Sequence, residues 1–150
     1  MASIKTGDKA PEFIGKDQNG KTISLSNFKG KKVVLYFYPK DNTPGCTAEA
    51  CNLRDNYGTF RKLGYEIIGV SADPEKSHVN FIEKYQLPFP LIADTDKSII
   101  KAYGVWGRKK FMGREFDGIL RTTFIIDESG IVEKIIIKVD TKNHASQIIE

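Results

Sequence analysis

Compact apolar runs alternate along this chain with segments whose apolar residues recur every three or four positions. KKVVLYFYP (31–39) is β-branched and aromatic, is bounded by Gly30 and Pro39, and predicts a buried strand. YEIIGVSAD (65–73) predicts a second. Between them, TPGCTAEACNLRDNYGTFRKLG (43–64) has helical composition and stops at Gly64, with Leu53, Tyr57 and Phe60 spaced as a core stripe. Asp73-Pro74-Glu75 reads as an N-cap followed by proline at the first helical position, opening a helix to about Tyr85 with Val79, Ile82 and Tyr85 inward. FPLIAD (89–94) is a short strand and DKSIIKAYGV (96–105) a helix closing at Gly104. RTTFIID (121–127) and IVEKIIIKV (131–139) are strands joined by the turn Asp127–Gly130, and TKNHASQIIE begins a terminal helix. Near the front, Asp17-Gln18-Asn19-Gly20 inside Phe13–Leu25 signals a β-hairpin.

Strand–helix–strand alternation followed by two adjacent strands predicts an α/β fold: a central mixed β-sheet flanked by helices, with an N-terminal hairpin. The chain has 150 residues, which implies one domain spanning 1–150. Apolar content of 40% beside 28% charged residues is ordinary for a globular protein. No run approaches the roughly 18 apolar residues of a membrane span. MASIKTGDKAPEF lacks the apolar stretch of a secretory signal, so the cytoplasm is the expected compartment. The net charge of +4 is scattered, and its densest run, Arg108-Lys109-Lys110, reads as a solvated loop; no nucleic-acid-reading motif accompanies it. Trp106, Phe111 and Phe116 read as core or lid packing, with an aromatic rim for an apolar ligand or a partner as the alternative.

Candidate chemistry concentrates in PKDNTPGCTAEACNLRD (39–55), which holds both cysteines, Cys46 and Cys51. Four readings compete: a structural staple, a metal half-site, two unrelated core residues, or a redox pair. Zinc needs three or four ligands, and His78 and His144 stand too far off to complete any ligand spacing, so no metal is expected. Thr43 suits an N-cap and Pro44 the first helical position, which makes Cys46 the third residue of a helix. The Thr43 hydroxyl is then expected to accept from a backbone N–H near Cys46. Free amides of the first turn and the helix dipole favour a thiolate there. In an unbroken helix the two cysteine Cα atoms lie roughly 8–9 Å apart, beyond the limit of about 7 Å for an unstrained disulfide. A bond between them requires the helix to unwind. A buried, inert role remains open for Cys51. Glu49 and Arg54 fit a surface ion pair as well as they fit a function.

PKDNTPGC (39–46), placed after a strand, resembles the P-x-x-x-T-x-x-C pattern of peroxiredoxins. CTAEACNLRD, FPLIADTD, AYGVWGRKKFMGREFDGILRTTFIID and the early GDKAPEF are similar to the peroxiredoxin Q subfamily, also called bacterioferritin comigratory protein. The resemblance runs from about Gly7 to the end. It implies a thioredoxin-like fold and a thiol peroxidase of the atypical two-cysteine kind. Cys46 then corresponds to the peroxidatic cysteine and Cys51 to the resolving cysteine, joined transiently as an intramolecular disulfide. Thr43 corresponds to a threonine bonding thiolate and peroxide, Pro39 to a proline shielding the sulfur, and Arg121 to an arginine supporting both. Without the resemblance, Arg121 would read as an exposed strand-end charge. The substrates implied are hydrogen peroxide or organic hydroperoxides, the reductant thioredoxin, and the state a monomer without cofactor. A redox sensor that uses the same disulfide as a signal, or a passive chaperone-like module, are the competing classes.

Overall fold

The computed structural model describes residues 4–149. A five-stranded mixed sheet forms its centre. It is built from β3 (Lys32–Phe37), β4 (Tyr65–Ser71), β5 (Leu91–Ala93), β8 (Thr122–Ile126) and β9 (Val132–Ile136) in the spatial order β5-β4-β3-β8-β9. β3, β4 and β5 run parallel, while β8 and β9 add as an antiparallel pair on the other side of β3. The central strands read as unbroken apolar runs because both faces are covered. Side chains alternate across a strand, so Val33, Leu35 and Phe37 enter one core cluster and Val34, Tyr36 and Tyr38 the other.

The remaining elements dress this sheet. The predicted front hairpin is β1 (Ile14–Lys16) and β2 (Thr22–Ser24), closed by the Asp17 carboxylate, which accepts from the Asn19 and Lys21 amides. The segment expected as one helix to Gly64 is two, α1 (Pro44–Asp55) and α2 (Tyr57–Lys62). Asn56 makes the break: its side-chain amide donates to the Asn52 carbonyl at 2.8 Å and takes the acceptor that a continuing helix would use. Helix α3 (Glu75–Tyr85) has Pro74, not Asp73, as its N-cap, and it buries His78 and Phe81, with Val79 only partly covered. Asp73 instead accepts from the Asp41 amide in the loop after β3 and from the Ser71 hydroxyl. Helices α4 (Ser98–Ala102) and α5 (His144–Ile149) follow the expected positions.

The largest departure from the sequence reading is a second hairpin, β6 (Trp106–Phe111) and β7 (Arg114–Ile119). Its basic and glycine content masked the strand pattern. Trp106 packs partly against the core as expected, but Phe111 is 66% and Phe116 43% exposed, so neither is core packing.

Gly69 of β4 shows how closely the sheet packs behind the cysteine helix. A Cβ there would lie 2.6 Å from the Leu91 side chain and 2.9 Å from the Tyr36 ring. Gly69→Ala is expected to destabilise the protein by about 1–3 kcal/mol, read as a lower urea midpoint at unchanged slope; an unshifted midpoint would refute this packing.

Candidate active site

The strand register explains why Arg121 meets a cysteine 75 positions away. Thr122 opens β8 opposite Phe37, the last residue of β3, so Arg121 stands level with the loop that leaves β3 and enters α1. Its Nη2 lies 3.4 Å from Cys46 Sγ, and its Nη1 donates to Glu49 Oε1 at 2.7 Å. Cys46 is buried, occupies the first turn of α1 and belongs to the core cluster behind the sheet. Gly45 lets the guanidinium come this near, since a Cβ on it would sit 3.1 Å from Arg121 Nη2. Cys51, half-buried on the same unbroken helix, is also a free thiol.

Thr43 is the N-cap and Pro44 the first helical residue, as expected. The hydroxyl does not bond an amide of the first turn, however; it donates to the Lys40 carbonyl at 2.8 Å. Its own lone pairs stay available. Pro39 and Arg121 line a cleft of about 540 Å³ whose apolar walls include Val105, Leu120, Ile135 and Ile137.

A second set of residues fixes the loop itself. The Asp41 carboxylate accepts from the Tyr38 hydroxyl at 2.6 Å and the Ser77 hydroxyl at 2.7 Å, with His78 Nδ1 also 2.7 Å away. The Asp41 amide donates to Asp73 Oδ2 at 2.8 Å. Burial opposes ionisation of Asp41, but the bonds from His78, Tyr38 and Ser77 outweigh it and hold the carboxyl below its ordinary range. His78 Nε2 lies 3.0 Å from the Ile92 carbonyl, so both ring nitrogens face acceptors. Asp41, Asp73 and His78 cluster as metal ligands can, yet these atoms are committed to the protein's own partners. The histidine judged useless for metal binding thus anchors the cysteine loop, a role no local pattern signalled.

Glu49 is likewise no surface residue. It is fully buried, one helical turn after Cys46 on the same face, and a spacing of three from the cysteine was the available clue. Arg54 instead bonds Asp55 and the Tyr85 carbonyl. Glu49 Oε2 lies 3.4 Å from His144 Nε2, and Thr123 and Gln147 complete the histidine's contacts. Burial, and secondarily the Arg121 charge, lowers the His144 basicity. Tyr36, buried beside Glu49 and Cys46, is held firmly as a neutral phenol by burial first and by the Glu49 carboxylate second.

Burial pushes the Glu49 carboxyl from 4.5 up to about 7, although Arg121 beside it pulls the other way. Between those values the folded state keeps a proton that the unfolded chain has released, so stability falls as pH rises from about 5 to above 7. The loss is on the order of 3 kcal/mol. Glu49→Gln should flatten that part of the profile, which urea unfolding at pH 5 and pH 7.5 measures; an unaltered profile would assign the pH dependence elsewhere.

With this geometry in hand, comparison with known proteins is direct. Residues 6–135 match the AhpC/TSA family. Peroxiredoxin Bcp of Bacillus subtilis is 46% identical over 148 residues, covering 99% of this chain and 94% of its own. A cysteine-to-serine variant of peroxiredoxin Q from Xylella fastidiosa superposes with a TM-score of 0.92 at 30% identity, covering 99% of this chain and 94% of its own. The bacterioferritin comigratory protein of Xanthomonas campestris, solved as a trapped intermediate/ligand complex to explain its alkyl peroxide reduction activity, superposes at 0.85 with 36% identity over 91% of this chain and 87% of its own. The thioredoxin-like sheet, the buried cysteine at a helix start and the full-length identity agree, and the chain belongs to the AhpC/TSA family, in its Bcp or peroxiredoxin Q branch.

Proposed function

We propose that Cys46 is the thiol this peroxidase oxidises and Cys51 the thiol that resolves it. The enzyme is an oxidoreductase of the peroxiredoxin kind, acting on peroxides with a thiol reductant. The observation that carries the assignment is the Arg121 guanidinium 3.4 Å from the sulfur of a cysteine in the first turn of α1. A cation lies beside one buried sulfur in the first turn of a helix, where the helix dipole also favours negative charge, and such an arrangement stabilises a thiolate.

The thiolate attacks one peroxide oxygen, the O–O bond breaks, and the other oxygen leaves with a proton as water or alcohol. Cys46 becomes a sulfenic acid. Negative charge moves from sulfur to the leaving oxygen during this step. Arg121 can follow it, and the Thr43 hydroxyl, bonded to Lys40, keeps lone pairs to accept from the peroxide O–H. Pro39, which lines the cleft together with Arg121, is assigned the shielding of the sulfur from water. The first turns of α1 then unwind, because five helical residues hold the thiols too far apart to bond. Cys51 attacks the Cys46 sulfur, water leaves, and the disulfide forms. Two thiols of an external reductant, proposed as thioredoxin, restore both cysteines by exchange. The proposed setting is a monomer in the cytoplasm, turning over hydrogen peroxide and organic hydroperoxides.

Cys46→Ser should abolish peroxide consumption coupled to thioredoxin, its reductase and NADPH, whereas Cys51→Ser should consume about one equivalent per chain and stop, by the stoichiometry of sulfenic acid formation. Sustained turnover in Cys46→Ser would sink the assignment. Arg121→Ala should slow the single-turnover reaction with peroxide on the order of 100- to 1000-fold, followed by stopped flow. A rate equal to wild type would remove Arg121 from the chemistry.

A further inference from the structure

The hairpin β6–β7 sorts its side chains by face. The register pairs Lys109 with Phe116 and Phe111 with Arg114 on one face, and Arg108 with Asp117 and Lys110 with Glu115 on the other. Both acids of the hairpin therefore lie on the second face, where Arg108 bonds Asp117 at 3.3 Å and approaches Glu115 at 3.9 Å. The first face is basic and aromatic without a counter-charge of its own.

At the tip, Met112 and Gly113 both take positive φ, 51° and 79°. A turn of this kind prefers Asn-Gly, and an apolar side chain is uncommon at that φ. Met112 is nevertheless 85% exposed beside Phe111. Neither packs a core, and the fold offers no reason to have them there. At the other end the same face continues through Leu120, which lies over Gly107, to the cleft beside Arg121. Ile137, 73% exposed, adds to the cleft's apolar rim.

We propose that this hairpin docks the enzyme on an anionic phospholipid surface. Phe111 and Met112 enter the interfacial layer, while Arg114 on the same face and Lys110, exposed beside the tip on the other face, meet the headgroup phosphates. An apolar point with a basic collar is complementary to such a surface. A second copy of the chain is a poor match, because two such faces would bring like charges together. Docking would turn the mouth of the cleft toward the bilayer, where apolar hydroperoxides collect. That benefit rests on the peroxidase reading above, but the binding does not.

Sedimentation of the full chain with phosphatidylcholine vesicles, with and without phosphatidylglycerol, tests this. Wild type should pellet only with the anionic vesicles and be released by high salt. Lys110→Glu with Arg114→Glu should weaken binding on the order of 25-fold, from roughly fivefold per basic residue. Phe111→Ser with Met112→Ser should also release the protein. Turnover of dissolved hydrogen peroxide, measured on the same samples, should persist in both variants. Wild type that ignores vesicle charge, or stays in solution with both, overturns the proposal. So do variants that pellet like wild type, or a concentration-dependent dimer in place of lipid binding. Vesicle binding without peroxide turnover would instead fault the peroxidase reading and leave the docking intact.

Discussion

A guanidinium placed where only 23% of its side chain meets water needs a counter-charge, and the arrangement around Arg121 answers that need. Burial works against its charge, but the Cys46 sulfur and the Glu49 carboxylate outweigh burial and keep it cationic. Removing one partner of such a pair typically costs about 3–5 kcal/mol because the other is left uncompensated. Cys46 thus lies near a cation whose remaining partner, Glu49, is itself reluctant to ionise. The weaker the carboxylate's claim on the guanidinium, the more of that positive charge is free to act at the sulfur.

Placing the cation required the sheet. β8 runs antiparallel to β3, so its first residue reaches the end of β3 where the cysteine loop departs. That loop is held in turn by Asp41, whose bonds to Tyr38, Ser77 and His78 tie the end of β3 to α3. The thiol's setting therefore depends on β3, on α1, on α3 through the Asp41 loop and on the residue before β8, none of which could position it alone.

The parallel and antiparallel strands were legible because burial on both faces leaves continuous apolar runs, and Thr43-Pro44 marked the helix start by local sterics. The β6–β7 hairpin was not legible: its strands carry Arg108, Lys109, Lys110, Arg114 and two glycines, and they pack mostly against each other. Among the candidate site residues, Thr43 and Cys46 stood out by their place at a helix start, while Cys51 stayed open to an inert role until the family pattern was considered. Arg121 needed the family pattern, since its approach depends on strand register. Asp41, His78 and Glu49 could not be placed for one reason: their network rests on contacts such as Asp41–Ser77 and Glu49–Arg121, 36 and 72 positions apart, and local periodicity says nothing about those. The Thr43 hydroxyl failed in the opposite way, a correct N-cap whose side chain found a nearer carbonyl.

The C-terminal half of α1 is tethered more firmly than its start. Arg54 reaches the Tyr85 carbonyl, and Asn52 Oδ1 accepts from the Ala145 amide of α5, while Glu49 faces His144 from one turn earlier. On the proposed cycle, Glu49 must leave that pocket before the two sulfurs can meet, whereas Asn52 and Arg54, just beyond Cys51, can stay where they are. On that cycle the hold of His144 and Arg121 on Glu49 acts as a clock: it sets how long the oxidised sulfur waits for its partner, and during that interval a second peroxide can carry it to a sulfinic acid. Tight docking of a short C-terminal helix, 98 residues from Cys46, therefore trades the durability of the assembled site against the enzyme's endurance when peroxide is abundant.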